Sequence, residues 1–252
     1  LTSLVGSEMC IRDRLNIVDL SSEIQIKPFD IKFQTLTHSI PEPNSLFIKT
    51  KLGTIYHTGD WKIDDNPIVG ESIDFNKLKE NSEEVLAMVC DSTNVLTSGR
   101  SGSESTVRGN LAGVIKKLKN RVFVTSFASN VARLETIAAA AKESGRSLVV
   151  LGRSMHRMIS VARQNGILKD IDVILSEKDA AKKKKHEVLY LCTGSQGEPR
   201  GAMMRISNQD FPHIDIDQDD CVIFSSKIIP GNEKKIFKLF NRLSELGAEV
   251  IT

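Results

Sequence analysis

The spacing of hydrophobic and polar positions changes near residue 100. Before it, short β-rich runs are separated by polar clusters. LFIKTKLGTIYHTGD contains two such runs around Lys51-Leu52-Gly53, which predicts a hairpin, and residues 85–90 form a further apolar strand. A short helix is predicted over residues 75–80. This part of the chain therefore favours a mainly β region.

From about residue 101, helical and strand patterns alternate. An amphipathic helix with apolar positions from Val107 to Leu118 comes first, followed by predicted helices over residues 130–144, 153–164, 198–206 and 233–246. Predicted strands span residues 121–127, 147–151, 188–192, 221–225 and 248–251. Helices that end at Gly and lead into apolar, β-branched runs are typical of βα units. We therefore predict an α/β fold whose second part has a mostly parallel sheet flanked by helices.

The N-terminal stretch LVGSEMCIRDR, residues 4–14, is not joined to the following LNIVDLSSEIQIKPFDIKF by a turn, a cap or a hydrophobic period. It matches the translated end of a common transposase-based sequencing adapter. A natural N-terminal tail or targeting segment is the alternative, but the stretch lacks an apolar core of signal-peptide length and contains Glu8 and Asp13. We interpret residues 1–14 as adapter-derived and expect Leu15 to lie inside a longer gene. We expect the C-terminus, which follows a predicted strand, to be cut as well.

Composition narrows the classes of function. The 252 residues are 40% apolar and 26% charged, with a formal net charge of +2, so nucleic-acid contact must come from local groups. No apolar run approaches the roughly 18 residues needed to cross a bilayer, and we predict no membrane association. Cys90, Cys192 and Cys221 are far apart in apolar runs, which fits neither a disulfide framework nor a CxxC metal site. We expect buried thiols in a cytoplasmic protein.

Two residues could bind a metal. In IYHTGD an apolar strand leads through Gly59 to Asp60, and in TLTHSIPEP His38 follows another β-rich run. An imidazole and a carboxylate on adjacent strand ends of one sheet can ligate zinc. The alternative is a hydrogen-bonded pair or two solvated loop groups, since a zinc site needs three or four ligands. Residue types alone leave both interpretations open.

Seven short motifs then occur along the chain, namely THSIPE, HTGDWKID, DSTN, FASN, GRSM, TGSQGEP and IPGNEK. Their order resembles bacterial ribonuclease J, a nuclease of the metallo-β-lactamase superfamily with an inserted β-CASP domain, over residues 15–252. The resemblance implies part of an αββα metallo-β-lactamase sandwich in residues 15–100 and a β-CASP domain in residues 101–252. It implies that His38 and Asp60 are metal ligands, that Asp60 bridges two Zn²⁺ ions, and that Asp91 supports the ligand shell as a second catalytic acid.

The resemblance also implies an activity. The intact parent would be a zinc-dependent hydrolase that cleaves RNA as a 5′-to-3′ exonuclease and an endonuclease, in RNA processing and decay, and would form a homo-oligomer. The family's HxHxDH motif, its GHAS-like loop and its final ligand His do not occur in this sequence. We therefore expect the present chain to be inactive alone, and residues 15–100 to expose sheet faces that the family's other parts cover.

Polar residues after three predicted strands are candidates for contact with single-stranded RNA, because ligand loops lie at the carboxyl ends of parallel strands. The alternative for Ser and Asn at these places is an ordinary helix cap. The candidates are Ser129, Asn130, Arg153, Ser154, Ser195 and Gln196.

Two other functions stay open. The first is a non-catalytic RNA-binding protein that retains the β-CASP scaffold without a metal site. The second is an α/β domain that binds a nucleotide, which the absence of GxGxxG and GxxxxGK[ST] loops disfavours. Recovery of an upstream HxHxDH motif would separate the enzyme from the non-catalytic protein.

Overall fold

The computed structural model describes residues 16–168, 171 and 173–252, so the residues interpreted as adapter-derived lie outside the described part. The chain forms two compact units. The first, here the β unit, comprises the described residues up to Leu36 together with Glu42–Trp61 and Ile73–Thr97. The second, the α/β unit, comprises Thr37–Pro41, Lys62–Ser72 and Ser98–Thr252. Neither unit is a continuous segment of the sequence.

The β unit is built on a five-stranded sheet in the order β1-β2-β3-β4-β5. The first four strands form an antiparallel meander, and β5 pairs with β4 in parallel after helix α1. The predicted hairpin is confirmed, with Thr50 paired to Gly53 across the turn. The elements are β1 (Glu23–Ile26), β2 (Phe29–Thr35), β3 (Asn44–Thr50), β4 (Gly53–His57), α1 (Phe75–Ser82) and β5 (Val85–Val89).

The α/β unit contains a six-stranded sheet in the order β11-β10-β6-β9-β7-β8, with every pair parallel. The prediction of a mixed α/β fold with a parallel sheet flanked by helices is confirmed. A 3₁₀ turn, Lys185–Glu187, precedes β9. The elements are α2 (Glu104–Ile115), β6 (Val122–Thr125), α3 (Val131–Glu143), β7 (Ser147–Leu151), α4 (Arg153–Gln164), β8 (Ile174–Leu175), α5 (Glu177–Ala180), β9 (Val188–Cys192), α6 (Ala202–Ser207), β10 (Cys221–Phe224), α7 (Glu233–Glu245) and β11 (Glu249–Ile251).

Each face of the six-stranded sheet has its own hydrophobic core. Leu189 and Leu191 of β9 face one core, which α2, α3 and α4 cover, whereas Tyr190 and Cys192 face the other, which α6 and α7 cover. Successive side chains of a strand point to opposite faces, so a strand buried on both faces is apolar at every position. This explains the continuous apolar runs in this half of the sequence.

One predicted helix begins at a different place. Residues 198–206 were expected to be helical, but α6 begins at Ala202. Glu198, Pro199, Arg200 and Gly201 form a turn in which Gly201 N donates to the Glu198 carbonyl at 2.9 Å, and proline suits the second position of such a turn. A Cβ atom at Gly201 would lie 2.6 Å from Gly194 Cα. The close approach of the two backbones therefore holds this segment in a turn.

The expectation that all three cysteines are buried is wrong for Cys90, which is exposed, while Cys192 and Cys221 are buried. Burial raises the pKa of both buried thiols, that of Cys221 to about 12. Among the described residues, no helix is long and apolar enough to span a bilayer.

Candidate active site

The β unit brings Asp60 and Asp91 to the carboxyl ends of two neighbouring parallel strands, β4 and β5. Thr58 joins these ends. Its backbone N–H donates to the Val89 carbonyl at 3.0 Å, and its hydroxyl accepts a hydrogen bond from Asp91 N at 3.0 Å. Thr58 is 3% exposed, so this link is shielded from water. Two predicted catalytic acids therefore share one edge of the sheet.

A tight turn precedes Asp60. Gly59 has a φ of +61°, a conformation that favours glycine, and its N–H donates to His57 Nδ1 at 3.1 Å. The Asp60 side chain is exposed and forms no hydrogen bond or ion pair with any residue that the structure describes. The turn thus presents a free carboxylate at the strand end. His57 therefore shapes this turn.

Asp91 is held more firmly. Its Oδ1 accepts hydrogen bonds from Thr93 N at 2.9 Å and from Thr93 Oγ1 at 2.6 Å, which closes an Asx-type turn after β5. The motif DSTN is therefore a local unit in which the threonine fixes the orientation of the carboxylate.

His38 belongs to the α/β unit, is half-buried, and has its Nδ1 atom 3.1 Å from Ser39 Oγ. The expectation that His38 and Asp60 follow adjacent strands is wrong. They follow β2 and β4, and β3 lies between these strands because both connections are hairpins. The two strands run in the same direction, with one strand between them.

Thr37, which precedes His38, is bound to the segment that follows Asp60. Lys62 N donates to the Thr37 carbonyl at 2.9 Å, the Thr37 hydroxyl donates to the Lys62 carbonyl, and Asp64 N donates to Thr37 Oγ1 at 3.1 Å. Thr37 is 2% exposed. Three hydrogen bonds thus fix the backbone beside His38 against residues 62–64.

Asp64 extends this network to the start of α2. Its carboxylate accepts hydrogen bonds from Ser103 Oγ at 2.6 Å and from Glu104 N at 3.0 Å, and lies 3.2 Å from Lys62 Nζ. Burial alone would raise the pKa of Asp64, but these hydrogen bonds, with one from Asn66 N, lower it to about 2. The carboxylate is therefore charged at every physiological pH.

A close approach of backbones strengthens the same arrangement. Gly70 has a φ of +86°, and a Cβ atom there would lie 2.3 Å from the Pro41 carbonyl oxygen. No other residue type fits without moving one of the two segments. Residues 37–41 and 62–72 are thus packed together at both ends.

A second buried network lies near the carboxyl edge of the parallel sheet. Arg133 of α3 forms a bidentate ion pair with Glu104, with Nε–Oε1 and Nη2–Oε2 distances of 2.6 and 2.9 Å. Its Nη1 also donates to the carbonyl and hydroxyl oxygens of Ser225, which follows β10. Thr136 donates to Glu104 Oε1 at 3.0 Å. The ion pair connects the beginnings of α2 and α3 to the end of a central strand.

Two of the RNA candidates, Ser129 and Ser154, line one cavity in the α/β unit. Asn130 is the N-cap of α3, where its Oδ1 accepts a hydrogen bond from Arg133 N at 2.9 Å. Arg153 begins α4 and is exposed. The structure therefore brings Ser129 and Ser154 to one cavity, while Asn130 caps a helix.

Ser195 and Gln196 are 2% and 3% exposed. Ser195 Oγ forms no hydrogen bond within the described part of the chain. The Gln196 amide instead binds the loop after β10: Nε2 donates to the Lys227 carbonyl at 2.9 Å, and Oε1 accepts from Ile229 N at 2.9 Å. Gln196 thus stabilises the loop between β10 and α7.

The sequence interpretation missed Thr37, Asp64, Glu104 and Arg133. Asp64 lies in the motif HTGDWKID, and Glu104 lies in the polar opening of α2, so both were visible as polar residues near elements of interest. Asp64, however, also contacts Thr37, Ser103 and Glu104, which are 27 to 40 residues away, and the side-chain partners Arg133 and Thr136 are 29 and 32 residues away from Glu104. Hydrophobic periodicity carries no information about such contacts.

His38 and Asp60 offer the imidazole and carboxylate donors that zinc accepts. No group of three or more His, Cys, Asp or Glu residues that could hold a metal ion occurs in the part of the chain that the structure describes. These residues alone therefore do not fit a complete zinc site.

Comparison with known proteins agrees with the architecture. The family model for the β-CASP domain of ribonuclease J matches residues 119–243. Ribonuclease J of Sinorhizobium meliloti is 41% identical over 239 residues, which are 94% of this chain and 42% of that protein. Ribonuclease J of Synechocystis sp. is 41% identical over 95% of this chain and 38% of that protein. The chain thus spans about two fifths of the length of these curated relatives.

A solved structure supports the fold. A protein of unknown function from Enterococcus faecalis V583 superimposes with a TM-score of 0.61 at 12% sequence identity, covering 94% of this chain and 55% of that chain. At this identity the likeness concerns the fold alone. It includes most of the chain, in keeping with the extent of the sequence matches.

Proposed function

Because this chain belongs to the ribonuclease J family, we propose that it forms part of a metal-dependent ribonuclease that hydrolyses phosphodiester bonds in single-stranded RNA. The observation that carries the proposal is the pair of acids, Asp60 and Asp91, at the carboxyl ends of neighbouring parallel strands. The Asp60 carboxylate is exposed, and Asp91 is oriented by Thr93. This edge combines a carboxylate available to a ligand with one that is held in place.

In the complete enzyme we assign His38 and Asp60 as two ligands of a centre of two zinc ions, and Asp91 as an acid that supports this centre. The remaining ligands would come from other parts of that enzyme, because two donors do not complete a zinc site. We further propose 5′-to-3′ exonucleolytic and endonucleolytic cleavage in cytoplasmic RNA processing and decay, by a homo-oligomer. The chain alone is expected to show no appreciable nuclease activity.

The proposal is tested in a chimera. Residues 16–252 replace the aligned segment of Sinorhizobium meliloti ribonuclease J, so that the relative supplies the rest of its length. We expect the chimera to degrade labelled single-stranded RNA, to lose this activity with a chelator, and to regain it with zinc. Asp60→Asn and His38→Ala should each abolish cleavage and lower the zinc content measured by mass spectrometry, because each removes a metal ligand.

Asp65→Asn is the matched control, because Asp65 is an exposed carboxylate close in sequence to Asp60. It should leave cleavage and zinc content unchanged. A folded chimera that cleaves RNA equally well with and without Asp60 and His38 would refute their assignment as ligands.

A second function is RNA binding without catalysis, which does not require a group of three metal ligands, and none occurs among the described residues. In that case a folded chimera would bind single-stranded RNA but leave it intact at every zinc concentration. The chimera therefore shows whether this segment supports catalysis, and recovery of an upstream HxHxDH motif would show whether its own parent carries the other ligands.

A further inference from the structure

The loop after β6 and one side of α4 enclose a cavity of about 380 Å³ that neither metal binding nor the acid pair uses. It lies entirely within the α/β unit. Most of its wall is apolar, and Ser129 and Ser154 each contribute a hydroxyl group to it. The lining residues are Phe127, Ala128, Ser129, Ser154, Arg157, Met158 and Val161.

Helix α4 gives this cavity a positive border. Its sequence, RSMHRMISVARQ, contains three arginines and no acidic residue. Arg153 and Arg157 are one turn apart, both exposed, and neither forms an ion pair or hydrogen bond with the residues that the structure describes. The guanidinium groups of Arg153 and Arg157 are therefore available to an anion. The apolar cavity beside them suits a ligand in which that anion is attached to a flat, apolar ring.

We propose that this cavity binds one base of single-stranded RNA, while Arg157 contacts an adjoining phosphate. The inference rests on the proposed function, whose substrate is single-stranded RNA, and adds a binding site outside the acid pair. Its volume is at the lower end of ligand cavities, which suits one base rather than a longer segment. Phe127 offers an aromatic face, and stacking of this kind tolerates every base. The two serine hydroxyls can donate to or accept from a base edge.

The test measures binding by the intact chain, using fluorescence anisotropy. One probe is a labelled short oligouridine, and the second is an abasic ribose-phosphate chain of equal length. We expect oligouridine to bind more tightly. Phe127→Leu, which keeps the wall apolar, should weaken oligouridine binding about fivefold and leave the abasic probe unaffected, because loss of one stacked base costs at least about 1 kcal/mol.

Arg157→Gln should weaken the binding of both probes. It should also make the negative slope of log K against log[salt] shallower by about 0.7, the value for one phosphate contact on a single strand. Because Arg157 is exposed, Arg157→Gln should fold normally, and it still tests the site if Phe127→Leu fails to fold. The matched control is Lys238→Gln, which also removes one exposed positive charge. Lys238 lies on α7, and α7 packs on the opposite face of the sheet from α4. This control should leave the slope unchanged.

Equal affinity for both probes, or an Arg157→Gln slope equal to that of the control, would overturn the base site. RNA cleavage by the chimera would still stand in that case, so the proposed function would survive. If the chain alone binds neither probe, the same variants are read in the chimera, where they should raise KM and leave kcat unchanged. A chimera that neither binds nor cleaves RNA would overturn both proposals.

Discussion

Strands β5 and β9 are nearly identical in pattern and opposite in environment. Their sequences, VLAMV and VLYLC, are both continuous apolar runs of five residues. All five residues of β9 are buried, whereas four of the five in β5 are exposed. β9 lies between β6 and β7 with helices on both faces, while β5 is the last strand of its sheet and pairs with β4 alone. An apolar run predicts a strand that gains from burial, but not which residues bury it.

The same contrast holds for the two units. Among the described residues of the β unit, Leu36 and Phe47 are the buried hydrophobic side chains, and the α/β unit holds the large remainder. On β5, Leu86 and Met88 are 63% and 60% exposed. Leu86 also lines an apolar groove of about 560 Å³ together with Leu52 and Ile55 of the same unit. Burial of hydrophobic side chains therefore contributes much more to the stability of the α/β unit than to that of the β unit.

The largest expected effect sharpens this comparison with one substitution in each strand. Leu191→Ala in β9, where the side chain is fully buried, should lower the free energy of unfolding by about 2–5 kcal/mol through lost packing and a residual cavity. Leu86→Ala in β5 should change it by less than about 0.5 kcal/mol, because that side chain is already largely in water.

Urea denaturation followed by far-UV circular dichroism reports mainly on the α/β unit, which contains α2–α7. Fluorescence of Trp61, the single tryptophan, reports on the β unit. Equal losses of stability from the two substitutions would break the comparison, because they would mean that β5 is as well packed as β9.

The next effect concerns charge. Asp64→Asn should destabilise the α/β unit by roughly 2 kcal/mol, the equivalent of lowering a pKa from 3.8 to about 2. Since the folded-state pKa lies below the unfolded value, this contribution is fully present above about pH 4 and is lost as the pH falls toward 2. Unfolding curves between these pH values should therefore converge for the native chain and the variant.

Asp65→Asn serves as the control, because Asp65 is the exposed neighbour of Asp64. It should shift the curves little at any pH in this range. A constant difference between Asp64→Asn and the native chain down to pH 2 would show that the carboxylate acts through its shape and not through its charge.

The smallest expected effect on stability is that of Met88→Lys, which should nevertheless reduce self-association clearly. Met88→Lys places a charge on the exposed edge strand, where lysine opposes pairing with another strand. It should change the unfolding free energy by less than about 0.5 kcal/mol and reduce self-association, measured by light scattering. Unchanged scattering would indicate that β5 does not mediate the association. Lys238→Gln, far from this strand in the sequence, should leave scattering unaltered.

Much of the α/β unit could be predicted from its sequence because local signals and packing agree there. The bounds of β7, α4 and β9 match the predicted ranges, since a glycine or an Asn-Gly pair punctuates each helix and the strands are apolar at every position. The start of α6 was missed because a backbone contact between Gly194 and Gly201, not a local preference, decides it.

The candidate site was less predictable. His38 and Asp60 were candidates from residue type and position, and the resemblance to ribonuclease J added Asp91 and the roles of all three, which stay predictions. The order of β2, β3 and β4 placed His38 and Asp60 differently from the adjacent strands expected of them. The cavity beside α4 depends on side chains from two separate elements, and no pattern along either element alone describes it.

The hydrogen bonds of Asp64 also set a time order for synthesis. Its partners Ser103 and Glu104 are 39 and 40 residues farther along the chain. On the ribosome, Thr37, Lys62 and Asp64 emerge well before the Ser103 hydroxyl and the Glu104 N–H that donate hydrogen bonds to this carboxylate. Until then the Asp64 carboxylate stays hydrated, because its burial without these hydrogen-bond donors is unfavourable. The arrangement beside His38 is therefore completed only after residues 103 and 104 have been made, later than the strands that flank it.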